Sequence, residues 1–295
     1  MNHMEEIYRK ARAKINLNLK ITGIREDHYH NIESIFQKIN LYDEIWIQKT
    51  KTGKCELQIN VPELNSPENI IVKAYEILKK QYPSEISGVF VKVKKNIPMQ
   101  AGLGGGSTDC ATFLFGMNQL FSLALPQRKI EEIGKSLGAD VVPCLFKQPV
   151  KAEGIGDQIT EIPSNFRYDL VLIKPNLACD TKAMYQKFDQ QKGIVQADTT
   201  DPIIQALIAE DKQQLAENLY NVFENVVDSP EIIQNLKKEL MQNGAIGSLM
   251  TGSGSCVYGI FKNKQEARQA YQILKEKYQT YLCTSYYSTK GEKKC

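Results

Sequence analysis

The residues best suited to chemistry run from 96 to 109: Asn96, Ile97, Pro98, Met99, Gln100, Ala101, Gly102, Leu103, Gly104, Gly105, Gly106, Ser107, Thr108 and Asp109. Glycines at 102, 104, 105 and 106 remove the Cβ atoms that hold a ligand off the backbone, and they permit positive φ. Residues 89–94 alternate like a strand and residues 112–120 have helical spacing. Ser107 is expected at the helix N-cap, with Thr108 and Asp109 in the first turn. A turn of this kind aims unpaired N–H groups and the positive end of a helix dipole at one point, which suits phosphate. The two common phosphate motifs do not fit. The P-loop needs a lysine where Gly106 stands before Ser107, and G-x-G-x-x-G counted from Gly102 puts Ser107 at its last glycine.

Three further groups are candidates. Lys14 sits on the polar side of an alternating run and could hold a point charge over a transferring phosphoryl group; an ordinary exposed strand lysine fits the same pattern. Asp140 follows Gly138 and Ala139 at an expected helix-to-strand turn, where partial burial would let it orient or deprotonate a hydroxyl. A turn aspartate bonding its own backbone is the competing reading. A second glycine-rich stretch, Thr251, Gly252, Ser253, Gly254 and Ser255, joins two apolar runs and reads equally as a close backbone approach or a plain hairpin.

These residues need elements to hold them. Residues 7–22 read as a strand with one buried face: Ile15, Leu17 and Leu19 lie opposite Lys14, Asn16, Asn18 and Lys20. Residues 32–36, 43–48 and 55–59 read as separate strands. Helical spacing covers 70–82, and Pro126 suits the start of a helix ending at Gly138. Past 154–157 the pattern changes. An apolar strand at 170–174 stops at Pro175, helices are expected near 181–188, 201–208, 211–218 and 230–242, and strands near 245–250, 256–261 and 281–287 flank a helix at 264–277. Strand-rich runs mixed with helices in this order indicate an α+β sandwich and not a doubly wound sheet.

Composition bounds the class. The chain has 295 residues, 42% hydrophobic and 24% charged, enough for one large or two medium cores. A net charge of +3 is too small to argue for nucleic acid; Lys92, Lys94, Lys95 and the tail lysines 290, 293 and 294 read as solvated. No run reaches the length of a membrane span, and residues 1–6 lack a hydrophobic signal core. The seven cysteines never form a CxxC pair and the three histidines all precede residue 31. A reducing, cytoplasmic setting without a zinc or His-rich metal site is expected.

Taken in order, five segments carry a resemblance: 13–19, 27–30, 98–109, 137–141 and 250–254. With them the chain resembles the GHMP kinase superfamily over essentially its full length, and within it the kinases acting on 4-diphosphocytidyl-2-C-methyl-D-erythritol. The resemblance implies a two-domain fold: an N-terminal ribosomal-protein-S5-like α/β domain over 1–158 and a C-terminal ferredoxin-like α+β sandwich domain over 159–295. It implies ATP and Mg²⁺, and a cytidine-diphosphate-linked acceptor phosphorylated at its 2-position for isoprenoid synthesis. Lys14 and Asp140 are implied as the catalytic pair, with Asn16 beside them. Residues 98–108 (Pro98, Met99, Gln100, Ala101, Gly102, Leu103, Gly104, Gly105, Gly106, Ser107 and Thr108) would bind ATP, and Ser107 is a candidate for the metal. Tyr29, His30, Thr181 and Tyr185 would form the cytosine pocket with Asp140 and Asn16 at the acceptor. Asp109, a like charge for phosphate, is accounted for by the helix dipole. His28 stands where the family has glycine, and the proline after Asp140 is displaced by one place to Pro143. Monomer and homodimer both remain open. The alternatives are a mevalonate or homoserine type of kinase, which has no base to stack on Tyr29 and His30, or a non-catalytic nucleotide-binding regulator, which need not keep both Lys14 and Asp140.

Overall fold

In the computed structural model, which describes residues 5–191 and 193–287, alternation in the first fifty residues produces two long antiparallel strands. These are β1 (Glu6–Ile24) and β2 (His30–Thr50). The expected pair of strands at 32–36 and 43–48 is one strand, because Gln37, Lys38 and Tyr42 keep pairing with Ile15, Lys14 and Arg12 across the gap. His28 in the connecting turn has φ 63°; the turn accepts the side chain in left-handed backbone, at roughly 1 kcal/mol. The N-terminal six residues' first four, and the lysines at 290, 293 and 294, lie outside the described residues.

β3 (Cys55–Ile59), α1 (Ile70–Gln81) and β4 (Gly88–Lys94) follow. Asn69 caps α1, its Oδ1 accepting from the Ile71 N–H at 2.9 Å. Next come α2 (Gly105–Leu120) and α3 (Gln127–Leu137), then two short 3₁₀ turns, Ala139–Val141 and Pro143–Leu145. The hairpin of β5 (Val150–Glu153) and β6 (Gln158–Glu161) joins the first sheet through β2. The apolar faces of α1, α2 and α3 cover that sheet, with Ile45, Ile47, Val91, Tyr75 and Phe113 at the centre of the core.

The chain changes sheet between Glu161 and β7 (Asp169–Lys174), a few residues beyond the division at 158 and 159. α4 (Thr181–Gln190), α5 (Thr200–Ala209), α6 (Lys212–Glu217) and β8 (Tyr220–Asn221) lead to α7 (Pro230–Gln242). β9 (Ala245–Met250), β10 (Val257–Phe261), α8 (Lys264–Leu274) and β11 (Gln279–Thr284) complete the order. The second sheet runs β11-β7-β10-β9, antiparallel throughout, while β8 returns to pair in parallel with β1. The architecture is α+β in two sheet-and-helix units, as the residue pattern predicts.

One expectation about β1 fails. Ile15 and Leu17 pack on Leu170, Leu172 and Tyr258 of the second sheet, yet Lys14, Asn16 and Asn18 on the other face are buried as well. A strand in the middle of a two-unit protein is covered on both sides, which local alternation does not reveal.

Candidate active site

Lys14 and Asn16 are aimed by breaks in the strand that carries them. The β1–β2 register shifts between Arg12 and Lys14 and again between Asn16 and Asn18, and such bulges redirect side chains. Ser34 Oγ accepts from Asn16 Nδ2 at 2.8 Å, and Asn18 Oδ1 accepts from the Ile35 N–H at 2.7 Å. Lys14 Nζ donates to Asn16 Oδ1 at 2.8 Å, lies 4.8 Å from the centre of the Phe36 ring, and reaches Asp140 Oδ2 at 3.6 Å. The lysine side chain is 5% exposed and the aspartate 47%. A buried cation is thus held against a carboxylate that still faces the open cavity.

Asp140 sits in the first 3₁₀ turn, not at a helix-to-strand turn as expected. Two tight turns in succession, the second opened by Pro143, place its carboxylate without a strand.

The glycine-rich loop is pinned from both sides. The Lys14 N–H donates to the Leu103 carbonyl at 3.0 Å, and Thr108 Oγ1 donates to the Arg12 carbonyl at 2.7 Å. From the other side, the Cys256 N–H donates to the Ala101 carbonyl at 3.3 Å, and Thr251 Oγ1 donates to the Gly102 carbonyl at 3.3 Å. Gly102 has φ 71°, and a Cβ there would fall 1.9 Å from the Thr251 carbonyl oxygen. The turn at 251–254 is therefore a close approach between the two halves as well as a hairpin connection. Asn221 Nδ2 holds it by donating to the carbonyls of Met250 and Gly252 at 2.7 and 2.8 Å.

The N-cap of α2 is Gly104 in the left-handed region, not Ser107. Ser107 lies within the first turn, so the first free N–H groups belong to Gly105, Gly106 and Ser107. Only glycine reaches φ 65° at that position without strain. Asp109 is then too far along α2 to serve the dipole. Its carboxylate takes an ion pair from Lys95 Nζ at 2.5 Å, and the same ammonium pairs with Asp43. Burial pushes the Asp109 carboxyl well above its usual range, against the pull of Lys95. Lys95 is accordingly a buried strut under the loop and not a solvated lysine. Lys95→Met leaves Asp43 and Asp109 facing each other without a cation and is expected to cost about 3–5 kcal/mol. Urea unfolding checks this; a loss below about 1 kcal/mol rejects the strut.

A cavity of about 620 Å³ joins these parts. Its walls include Lys14, Asn16, Asp140, Thr181, Tyr185 and the loop from Pro98 to Gly106. Thr181 Oγ1 and Ser253 Oγ are 2.8 Å apart, tying α4 to the second glycine turn. Tyr185 stacks on the His30 ring with centroids 4.6 Å apart and meets Phe223 edge-on at 5.0 Å. His30 Nε2 lies 2.7 Å from Asp189 Oδ1. Burial pushes the Tyr185 phenol upward.

Four expected site residues stand apart: Tyr29, His30, Ser107 and Thr108, with His30 meeting the cavity wall only through its stack on Tyr185. Tyr29 is 63% exposed at the turn tip and does not line the cavity. Neither do Ser107 and Thr108, the latter being committed to the Arg12 carbonyl. Sequence reading in turn missed Glu68, Asn69, Lys95 and Phe36 as cavity-lining residues. Asn69 gives only a helix-cap signal and Lys95 only a charge run, so neither has a motif of its own.

Comparisons with known proteins agree with this geometry. The family model for the GHMP kinase N-terminal domain matches residues 69–148 and that for the C-terminal domain matches residues 203–280. A 4-diphosphocytidyl-2-C-methyl-D-erythritol kinase from Acetivibrio thermocellus is 40% identical over 276 residues, covering 92% of this chain and 96% of the relative. The enzyme of that name from Clostridioides difficile is 38% identical, covering 99% of both chains. A crystal structure of a 4-(cytidine 5'-diphospho)-2C-methyl-D-erythritol kinase superposes with a TM-score of 0.80 at 24% identity, covering 96% of this chain and 100% of that one. The mevalonate kinase of L. major, with R-mevalonate bound, gives 0.74 at 14% identity, covering 97% and 98%; these two superpositions establish the fold. With a buried lysine beside an open aspartate, a pinned glycine loop, and near-full-length identity at this level, the chain belongs to the 4-diphosphocytidyl-2-C-methyl-D-erythritol kinase family of GHMP kinases.

Proposed function

We propose that this protein is an ATP-dependent kinase that phosphorylates the 2-hydroxyl of 4-diphosphocytidyl-2-C-methyl-D-erythritol for isoprenoid precursor synthesis. The observation that carries the reading is the Lys14–Asp140 approach of 3.6 Å on the wall of a cavity shared with the glycine loop and Tyr185. The N–H groups at the start of α2 receive the phosphates of ATP. Asp140 orients the acceptor hydroxyl and takes its proton as the new O–P bond forms. In a loose transition state the orientation carries more of the effect than the proton transfer. Lys14, fixed by Asn16, offsets negative charge gathering on the transferred oxygens.

Among the described residues no group of three or more His, Cys, Asp and Glu side chains is placed to hold a metal. Mg²⁺ takes most of its ligands from phosphate and water, and the hydroxyl expected to assist, Ser107, does not line the cavity. When bound, Mg²⁺ would neutralise charge on the phosphates.

Tyr185, backed by the His30 ring, gives the cavity an aromatic wall suited to a cytosine ring; mevalonate and homoserine have nothing to place against it. No helix among the described residues is long and apolar enough to cross a membrane, and the six described cysteines are free, in keeping with work in the cytoplasm. Release of ADP, measured with the cytidyl acceptor, mevalonate and homoserine in parallel, tests the reading. Turnover with the cytidyl compound alone is expected; preference for either of the others overturns it. Tyr185→Ala should raise KM for the cytidyl acceptor about 10-fold or more, from a stacking contribution of ~1–3 kcal/mol, while KM for ATP stays within about twofold. Equal rises in both constants would remove Tyr185 from the acceptor pocket.

A further inference from the structure

Lys38 is a half-buried lysine that the reaction as described leaves unused. It pairs across the sheet with Lys14, so the two side chains share a face of the β1–β2 ribbon. Its Nζ donates to the Cys144 carbonyl at 2.8 Å, inside the second of the two 3₁₀ turns that carry Asp140. Among the described residues it has no carboxylate partner, whereas the buried Lys95 has two. Its own backbone is held as well: the Tyr286 N–H donates to the Lys38 carbonyl at 2.8 Å, and Ile39 bridges to Ser285.

We infer that Lys38 is a positioning residue for Asp140: its ammonium clamps the Cys144 carbonyl and so fixes the turn that holds the carboxylate against Lys14. The inference rests on the role given to Asp140 above. The physical case is one of cost. A partly desolvated cation without a counter-charge weakens a fold, and a methionine of similar length would pack there at no such cost. Burial pulls the Lys38 amine down to about 8, and the neighbouring Arg12 and Lys147 add to the depression while Cys144 opposes it. The local gain is a charge-assisted hydrogen bond, the stronger kind. The Pro143–Leu145 turn closes on itself through the Leu145 N–H to the Val142 carbonyl at 3.0 Å and the Phe146 N–H to the Pro143 carbonyl at 3.3 Å, neither of which ties the Cys144 carbonyl to the neighbouring strand as Lys38 does.

The test compares wild type with Lys38→Met, Asp140→Asn and the double variant. Lys38→Met is expected to lower kcat about 10-fold with KM for ATP within about twofold, since small displacements of a reacting group are costly. Its Tm should be unchanged or higher, which a merely structural role forbids. In the double variant the loss should be no larger than in Asp140→Asn alone, because both changes act through one carboxylate. The groups facing the amine are the Cys144 thiol, pushed up to about 11 by burial, and the cations of Arg12 and Lys147. The thiol titrates well above the amine, so an alkaline fall in kcat around pH 8 is expected in wild type and should vanish in Lys38→Met. A kcat within twofold of wild type, a fall in kcat matched by a fall in Tm, or additive losses in the double variant each overturn the inference. If Asp140→Asn itself turns over like wild type, the failure belongs to the assigned role of Asp140 instead.

Discussion

Asp140→Asn is expected to cut turnover by a factor on the order of 10² or more while ATP still binds. The substitution keeps the size and shape of the side chain, so the turn around it is preserved. It removes the charge that faces Lys14 at 3.6 Å and the oxygen that would accept the hydroxyl proton. Lys14 stays in place through Asn16, at 2.8 Å, so the phosphate side of the cavity is undisturbed. KM for ATP should therefore move by no more than about threefold, the signature of an interaction made in the transition state. Steady-state kinetics with both substrates varied checks this. Near-wild-type turnover would remove Asp140 from the reaction.

Gly104→Val should damage nucleotide binding and turnover together. The backbone there has φ 65°, which a β-branched residue adopts only at a cost of about 1–3 kcal/mol. A Cβ would lie 3.0 Å from both Cγ and Cε of Lys14, so relief of the contact moves the lysine. Both effects reach the site: the N–H groups opening α2 lose their aim and the Lys14 ammonium shifts. KM for ATP is expected to rise at least about 10-fold and kcat to fall with it, since phosphate binding and charge placement fail together. Nucleotide titration of the variant reads the first effect separately from the second. An unchanged ATP affinity would place the nucleotide elsewhere.

Much of this molecule is legible one segment at a time. Helical spacing alone places α1, α4 and α7 to within about two residues, and alternation places β3, β4 and β9. The glycine-rich loop, Lys14 and Asp140 are found by residue type and order. What goes astray shares one cause. β2 continues through 37–42 because a partner strand lies beside it, and the two-residue β8 exists only because β1 accepts it. Lys95 reads as solvated until Asp43, 52 positions away, arrives beneath it. Tyr29 reads as a stacking residue, yet the turn that carries it points it into solvent.

The amino-acid sequence by itself thus determined which side chains are available for phosphoryl transfer and which short stretches are strand, helix or glycine turn, because periodicity and glycine act over a few residues. The tertiary structure decided that Lys14 is buried, that Gly104 and not Ser107 opens α2, and that Thr251 locks the loop from the far half of the chain. Those outcomes depend on contacts between residues far apart in the chain, from Arg12 with Thr108, 96 positions away, to Gly102 with Thr251, 149 away, and no local pattern encodes the distance at which two such segments meet.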